Sequence, residues 1–181
     1  MTIGEDEQAL IARAQSGDLA AYERLLEPSI RVATRLAFAL LHDRSEAEDA
    51  FQEAAFRAWR RLRNLHPGSR FQPWFVGIVA NQCREVRRGR WRQLIRVPEL
   101  AVAESGNEIT TWLEGEDLRR AVARLPHDQR VAVLLHFHLD MPLSDVATAL
   151  GISQAGVKTR INRALKRLRP AVASTEVKVD G

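Results

Sequence analysis

The sequence predicts an all-α protein built as two small helical domains joined by a flexible linker. Two observations carry that expectation. Apolar residues recur at spacings of three and four along most of the 181-residue chain, the period of helices with one buried face. Between residues 97 and 115 that period vanishes, and Pro98, Glu99, Glu104, Ser105, Gly106 and Asn107 give the stretch an acidic, linker-like composition. With 45% hydrophobic residues, the chain can fill two small cores. The expected units are a helical domain over 1–96, a linker over 97–115, a second helical domain over 116–170 and a disordered tail over 171–181, after Pro170.

The elements follow in order. Residues 5–16 suggest a short helix. Asp18 can cap a longer one toward Leu41, with Leu25, Leu26, Ile30, Val32, Leu36 and Leu40 apolar; both read as scaffold. Ser45 with Glu48 forms a capping box for the next helix, whose expected buried stripe is Phe51, Ala55, Ala58, Trp59 and Leu62. Acids fill its first half and arginines its second, the order that complements a helix dipole. Asp49, Gln52, Glu53 and Phe56 lie on a neighbouring face, an acidic patch with an exposed aromatic that suits protein docking. The loop NLHPGSRFQP, 64–73, is marked by Pro67-Gly68. The helix after it holds Trp74, Phe75, Ile78, Val79 and Asn81, then an arginine tract of Arg84, Arg87, Arg88, Arg90, Arg92 and Arg96 opposed only by Glu85. Loop, aromatics and amide before a basic tract could hold unstacked bases of a single strand over a phosphate footprint.

Leu118 to Leu125 resumes helical spacing, and Pro126 opens a helix whose Val131, Val133, Leu134 and Leu135 are core candidates. His136 and His138 point to different sides of that helix, and no acid or cysteine completes a metal site, so none is expected. LSDVATALGISQAGVKTRINRALKRLR, 143–169, is a helix-turn-helix pattern, with Ser144 and Ser153 as caps and Gly151 at the turn. Val157, Ile161, Ala164, Leu165 and Leu168 form the expected seam with Val146, Ala147 and Leu150. Gln154, Lys158, Thr159, Arg160 and Arg163 remain outward with no acid nearby, as a major-groove helix requires.

Of 27 basic residues 24 are arginine, which suits planar contacts to phosphate and guanine. The single cysteine, Cys83, excludes an internal disulfide and reads as a small core residue. No signal peptide or spanning apolar run is visible, so a cytoplasmic protein without membrane insertion is expected. No nucleophile, base and orienting group assemble and no phosphate-cradling glycine loop occurs, so neither an enzyme nor a cofactor is expected.

Three segments together, AEDAFQEAAFRAW (47–59), FQPWFVGIVAN (71–81) and residues 125–169, resemble regions 2 and 4 of bacterial RNA polymerase sigma factors of the sigma-70 family, extracytoplasmic-function subfamily. The resemblance implies a factor that binds core polymerase, recognises −35 and −10 promoter elements and promotes strand opening. By it, Asp49, Gln52, Glu53 and Phe56 dock on the clamp helices of the largest polymerase subunit. Leu65, His66, Ser69, Arg70, Phe71, Trp74 and Asn81 open the −10 element and hold a flipped base, while Arg84, Arg87 and Arg88 grip phosphates. Ser153, Gln154, Ala155, Lys158, Thr159, Arg160 and Arg163 read the −35 element. An anti-sigma factor is a further implied partner. The alternative is a helix-turn-helix regulator that binds duplex DNA without joining polymerase.

Overall fold

The computed structural model describes residues 6–96 and 116–179, with side chains over 6–92 and 118–171. The linker expected at 97–115 lies outside the described residues. Every regular element described is helical: α1 (Glu7–Gln15), α2 (Leu19–Leu41), α3 (Arg44–Arg61) with a 3₁₀ turn (Leu62–Asn64), α4 (Phe71–Arg96), α5 (Glu116–Arg124), α6 (His127–Val133) running into a π turn (Leu134–His138), α7 (Leu143–Leu150) and α8 (Gln154–Val179).

The first body packs α2, α3 and α4 around Leu36, Leu40, Leu62, Phe71, Phe75, Val76 and Val79, all nearly or fully buried. Asp18 caps α2 through its carboxylate and the Ala21 amide, 3.1 Å apart. Tyr22 donates to the Ala55 carbonyl at 2.6 Å, and burial raises its phenol well above the ordinary range. Cys83 sits in the same core, its thiol pushed up to about 12 by burial and so chemically quiet.

Two expectations for α3 need correction. Its cap is Asp43, not Ser45: the Asp43 carboxylate accepts from the Glu46 amide at 2.9 Å, so Ser45 already lies in the first turn and Glu48 pairs with Arg44 instead. Of the expected stripe Ala58 and Leu62 are buried, but Phe51, Ala55 and Trp59 are only half-buried, and Ala47, Ala50 and Ala54 complete the buried face instead. The small alanines face α2 and α4, and the larger rings pack beside them, Phe51 against Phe75 and Trp59 against Tyr22.

The second body joins α6 and α7 to α8 through Val146, Val157 and Ile161, and α5 to α8 through Val122, Leu125, Ala164 and Leu168. Leu165 does not belong to that seam and is 44% exposed, because Val157, Ile161, Ala164 and Leu168 already complete one face. Ser144 does not cap α7, which starts one residue earlier after Pro142. The turn places Gly151 at φ 64, and Ser153 caps α8 by accepting from the Gly156 amide at 3.1 Å. Nor does α8 stop at Pro170: it runs on to Val179, where a disordered tail was expected. A proline removes one backbone donor, and the exposed Lys166 carbonyl one turn earlier can be served by water.

The two bodies share a core. Val131, Ala132, Leu134, Leu135, Leu139, Met141, Val146 and Ala147 belong to the same apolar cluster as the first body's helices, and the main seam lies between α7 and α4. Gly77 makes that seam possible: a Cβ there would sit 2.3 Å from the Ala149 carbonyl oxygen.

Candidate nucleic-acid and docking interface

On α3 the acidic face forms as the sequence predicts. Asp49, Gln52, Glu53 and Phe56 are all exposed, Phe56 at 57%. Arg57 ties the ridge to the next helix, its Nε on Glu53 at 2.7 Å and an Nη on Glu85 at 2.8 Å; those two bonds raise its pKa. Arg60 lies over the Phe56 ring, 5.7 Å from its centroid. The result is a carboxylate edge with one aromatic knob and fixed flanks.

The loop before α4 is built by α1, a helix that sequence reading treated as scaffold. His66-Pro67-Gly68-Ser69 closes a turn with Gly68 at φ 78 and the Ser69 amide 3.1 Å from the His66 carbonyl. Gln8 grips that turn from both sides, donating to the Ser69 carbonyl and accepting from the Gly68 amide, each at 2.9 Å. Gln15 donates to the Leu62 and Leu65 carbonyls, and Glu7 caps α4 by accepting from the Phe71 amide at 2.8 Å. No periodicity rule could have exposed this, since polar residues on a helix normally read as its solvated face.

Of the residues expected at the −10 element, Leu65 and Phe71 must be withdrawn. They are 5% and 1% exposed, Phe71 stacked on Phe75 and edge-on to Tyr22, so both are core supports. His66, Arg70 and Asn81 are exposed, Ser69 and Trp74 half-buried, and Trp74 rests against Phe71 with centroids 5.8 Å apart. Arg84, Arg87 and Arg88 continue along α4, Arg88 exposed and the other two half-buried. On α8, Ser153, Gln154, Ala155, Lys158, Thr159 and Arg163 are exposed. Arg160 is half-buried and turned toward Asp128.

That turn belongs to the closure of the two bodies. Asp128 stands 3.7 Å from both Arg84 and Arg160, one expected at the −10 element and one at the −35 element. Arg70 pairs with the largely buried Asp145 at 2.7 Å. Asn81, Gly77 and Arg84 face Ala149, Leu150 and Arg160 across a crevice of about 120 Å³. Burial holds His127 down to about 4, with Arg84, Arg87 and Arg130 adding to the effect against Asp128. Among the described residues no group of three His, Cys, Asp or Glu side chains could hold a metal, and no helix is long and apolar enough to cross a membrane.

Comparison with known proteins gives these surfaces a context. The family descriptions Sigma-70 region 2 and Sigma-70, region 4 match residues 21–93 and 115–168. The chain is 33% identical over 168 residues to a probable RNA polymerase sigma factor, RfaY, of Xanthomonas campestris, covering 88% of this chain but 42% of that protein. It is 31% identical over 143 residues to the ECF RNA polymerase sigma factor EcfG of Rhodopseudomonas palustris, covering 78% of this chain and 77% of that one. Among solved structures, CnrH in complex with the cytosolic domain of CnrY shares the fold with a TM-score of 0.68 at 21% identity, over 94% of this chain and 99% of that one. RpoE from Bartonella quintana, in complex with the anti-sigma factor NepR, does so with 0.64 at 23%, over 84% and 96%. The chain belongs to the extracytoplasmic-function subfamily of sigma-70 RNA polymerase sigma factors, which bind core polymerase and promoter DNA to initiate transcription.

Proposed function

We propose that this sigma factor divides its work between the two bodies, with the acidic ridge of α3 docking on the clamp helices of core polymerase. The observation that carries the reading is the exposure of Asp49, Gln52, Glu53 and Phe56 as one continuous strip, with Arg57 and Arg60 fixed at its side. Around the braced turn, His66, Ser69, Arg70, Trp74 and Asn81 engage the −10 element, and Asn81 with Trp74 receives a base of the non-template strand. Opening needs no catalytic group, because contacts made only with the separated strand offset an unstacking cost of a few kcal/mol. Arg84, Arg87 and Arg88 take the phosphates beside that base. In the second body Ser153, Gln154, Ala155, Lys158, Thr159 and Arg163 enter the −35 major groove, and Arg160 joins them once released from Asp128. An anti-sigma factor holds the protein inactive in the cytoplasm; a structural neighbour, RpoE in complex with the anti-sigma factor NepR, supports a partner of that kind.

The experiment is co-purification with core polymerase. Asp49→Arg with Glu53→Arg should abolish binding while circular dichroism and melting stay near those of the parent, because both side chains are exposed. Retained binding would remove α3 as the docking helix.

A further inference from the structure

A cleft of about 620 Å³ opens between the two bodies. One wall is the basic end of α4, with Arg84, Arg87, Arg88, Trp91 and Arg92; the other is Leu125, His127 and Arg130 of the second body. Arg84 reaches Asp128 at 3.7 Å, and among the described residues no carboxylate comes within 4.0 Å of Arg87, Arg88, Arg92 or Arg130. Arg130 is 3% exposed, donates from one terminal nitrogen to the Ala123 and Leu125 carbonyls, and has no partner for its Nε. Burial, then the charge of Arg87 across the cleft, lowers Arg130 to about 10. Burial lowers Arg87 as well, with Arg90 adding to it. A buried Arg130 and a half-buried Arg87 that face one another with no counter-ion among the described residues are an unfavourable arrangement, and water alone compensates such charge poorly.

From these walls we infer that the cleft is a binding site for a compact phosphate-rich anion, one carrying two or more linked phosphates, which bridges the bodies and holds them closed. A volume of this size accepts a small molecule and not a duplex. Guanidinium groups suit phosphate because their planar forks donate two hydrogen bonds to a pair of oxygens. Trp91 is 67% exposed at the rim, where a flat base attached to the phosphates could stack. Inorganic polyphosphate and a nucleoside polyphosphate share the phosphate chemistry, and Trp91 separates them. Because Arg84, Arg87 and Arg88 are the residues proposed above for promoter phosphates, the anion competes with DNA and favours the closed protein. In that respect the inference rests on the proposed −10 contacts. Anion binding itself does not.

The test uses the full chain without polymerase or DNA, so its failure is separate from failure of the promoter assignment. Tripolyphosphate and adenosine triphosphate are titrated at fixed ionic strength, with sodium sulfate as the screening control. At about a hundred times Kd, either probe should raise the melting temperature by roughly 5 to 10 °C. Arg130→Met should abolish the shift. Should that variant fold poorly, Arg92→Ser, at an exposed position, should weaken binding several-fold. Gly77→Leu, which forces α4 and α7 apart without changing the identity of any residue lining the cleft, should abolish it too. Tighter binding of the nucleotide that falls to the tripolyphosphate value in Trp91→Ala identifies a nucleoside polyphosphate; equal binding throughout identifies an inorganic one. A shift reproduced by sulfate at equal ionic strength, or one that survives both Arg130→Met and Gly77→Leu, overturns the site.

Discussion

Substituting Gly77 by alanine should open the molecule. The added Cβ would lie 2.3 Å from the Ala149 carbonyl oxygen and 3.1 Å from its carbon, inside the 3.0 Å that real Cβ contacts respect in the first case. The obstacle is backbone and cannot rotate away, so α7 must retreat from α4. Inserting one methyl into a packed seam costs about 1–3 kcal/mol. Since the penalty falls on the closed arrangement alone, it shifts the ratio of open to closed protein by roughly 5- to 150-fold. In the closed state Asn81 faces a crevice of about 120 Å³, smaller than a nucleotide site requires. Apparent affinity for a single-stranded −10 oligonucleotide should therefore rise with the open fraction, up to the point where most molecules are open. The assay is fluorescence anisotropy on the free protein, read beside a donor and acceptor pair placed on the two bodies. Gly89→Ala is the control: it makes the same exchange on the same helix, with nothing within 4 Å of the new methyl. If the two variants bind the oligonucleotide alike, or the dye distance does not change in Gly77→Ala, the closed seam does not govern access to Asn81.

Three other outcomes are expected. Asn81→Ala should impair strand opening more than closed-complex formation, by about 1–3 kcal/mol if the amide contacts a base; a permanganate footprint and a filter-binding curve that fall together would count against it. Gln8→Ala removes both bonds that clamp the Gly68-Ser69 turn. It should speed amide exchange at Gly68 and slow open-complex formation several-fold with polymerase affinity unchanged, and an unaltered exchange rate would refute the brace. His127 is held below its ordinary value by burial, then by Arg84, Arg87 and Arg130, against Asp128. The unfolded chain therefore takes up a proton near 6.5 that the folded protein refuses until about pH 4. Stability is intact above pH 6.5 and is lost as pH falls toward 4. His127→Gln should flatten that slope in urea titrations at pH 7.5 and 5, and an unchanged slope would place the titration elsewhere.

The local features were legible because each depends on a short stretch of chain. The outward face of α8 needed only the period of Val157, Ile161, Ala164 and Leu168, and the ridge on α3 only the spacing of Asp49, Gln52, Glu53 and Phe56. Two kinds of assignment failed where space decided: Leu65 and Phe71 follow the family resemblance to the −10 surface, yet are core, and Leu165 follows apolar spacing into the seam, yet is surface. The loop brace was hidden for another reason, since Gln8 and Gln15 act on backbone groups about fifty to sixty residues away and backbone partners leave no trace in composition.

The arrangement of the two bodies was the least legible feature, and the reason bears on how the protein works. Residues that allow the close approach are Gly77 and Ala149, each weakly informative on a helix. Asp128 meets Arg84 and Arg160 only after both bodies have folded. A carboxylate that occupies two arginines proposed for two different promoter elements does the work of a phosphate in each place, so the free protein satisfies internally a part of what DNA would satisfy. Neither pair is strong, because at 3.7 Å and about two-fifths exposure on Asp128 such contacts are screened and worth at most ~1 kcal/mol. Weak pairing is what an exchangeable contact needs: duplex phosphates spaced along both bodies can replace one aspartate, and the seam at Gly77 then sets how readily the exchange begins. Asp128→Asn separates these contributions. It should release Arg160 and raise affinity for a −35 duplex a few-fold while leaving the Gly77 seam, and so the dye distance, unchanged; a full opening on loss of this one carboxylate would mean that the ion pairs, and not the packing of α4 on α7, hold the bodies together.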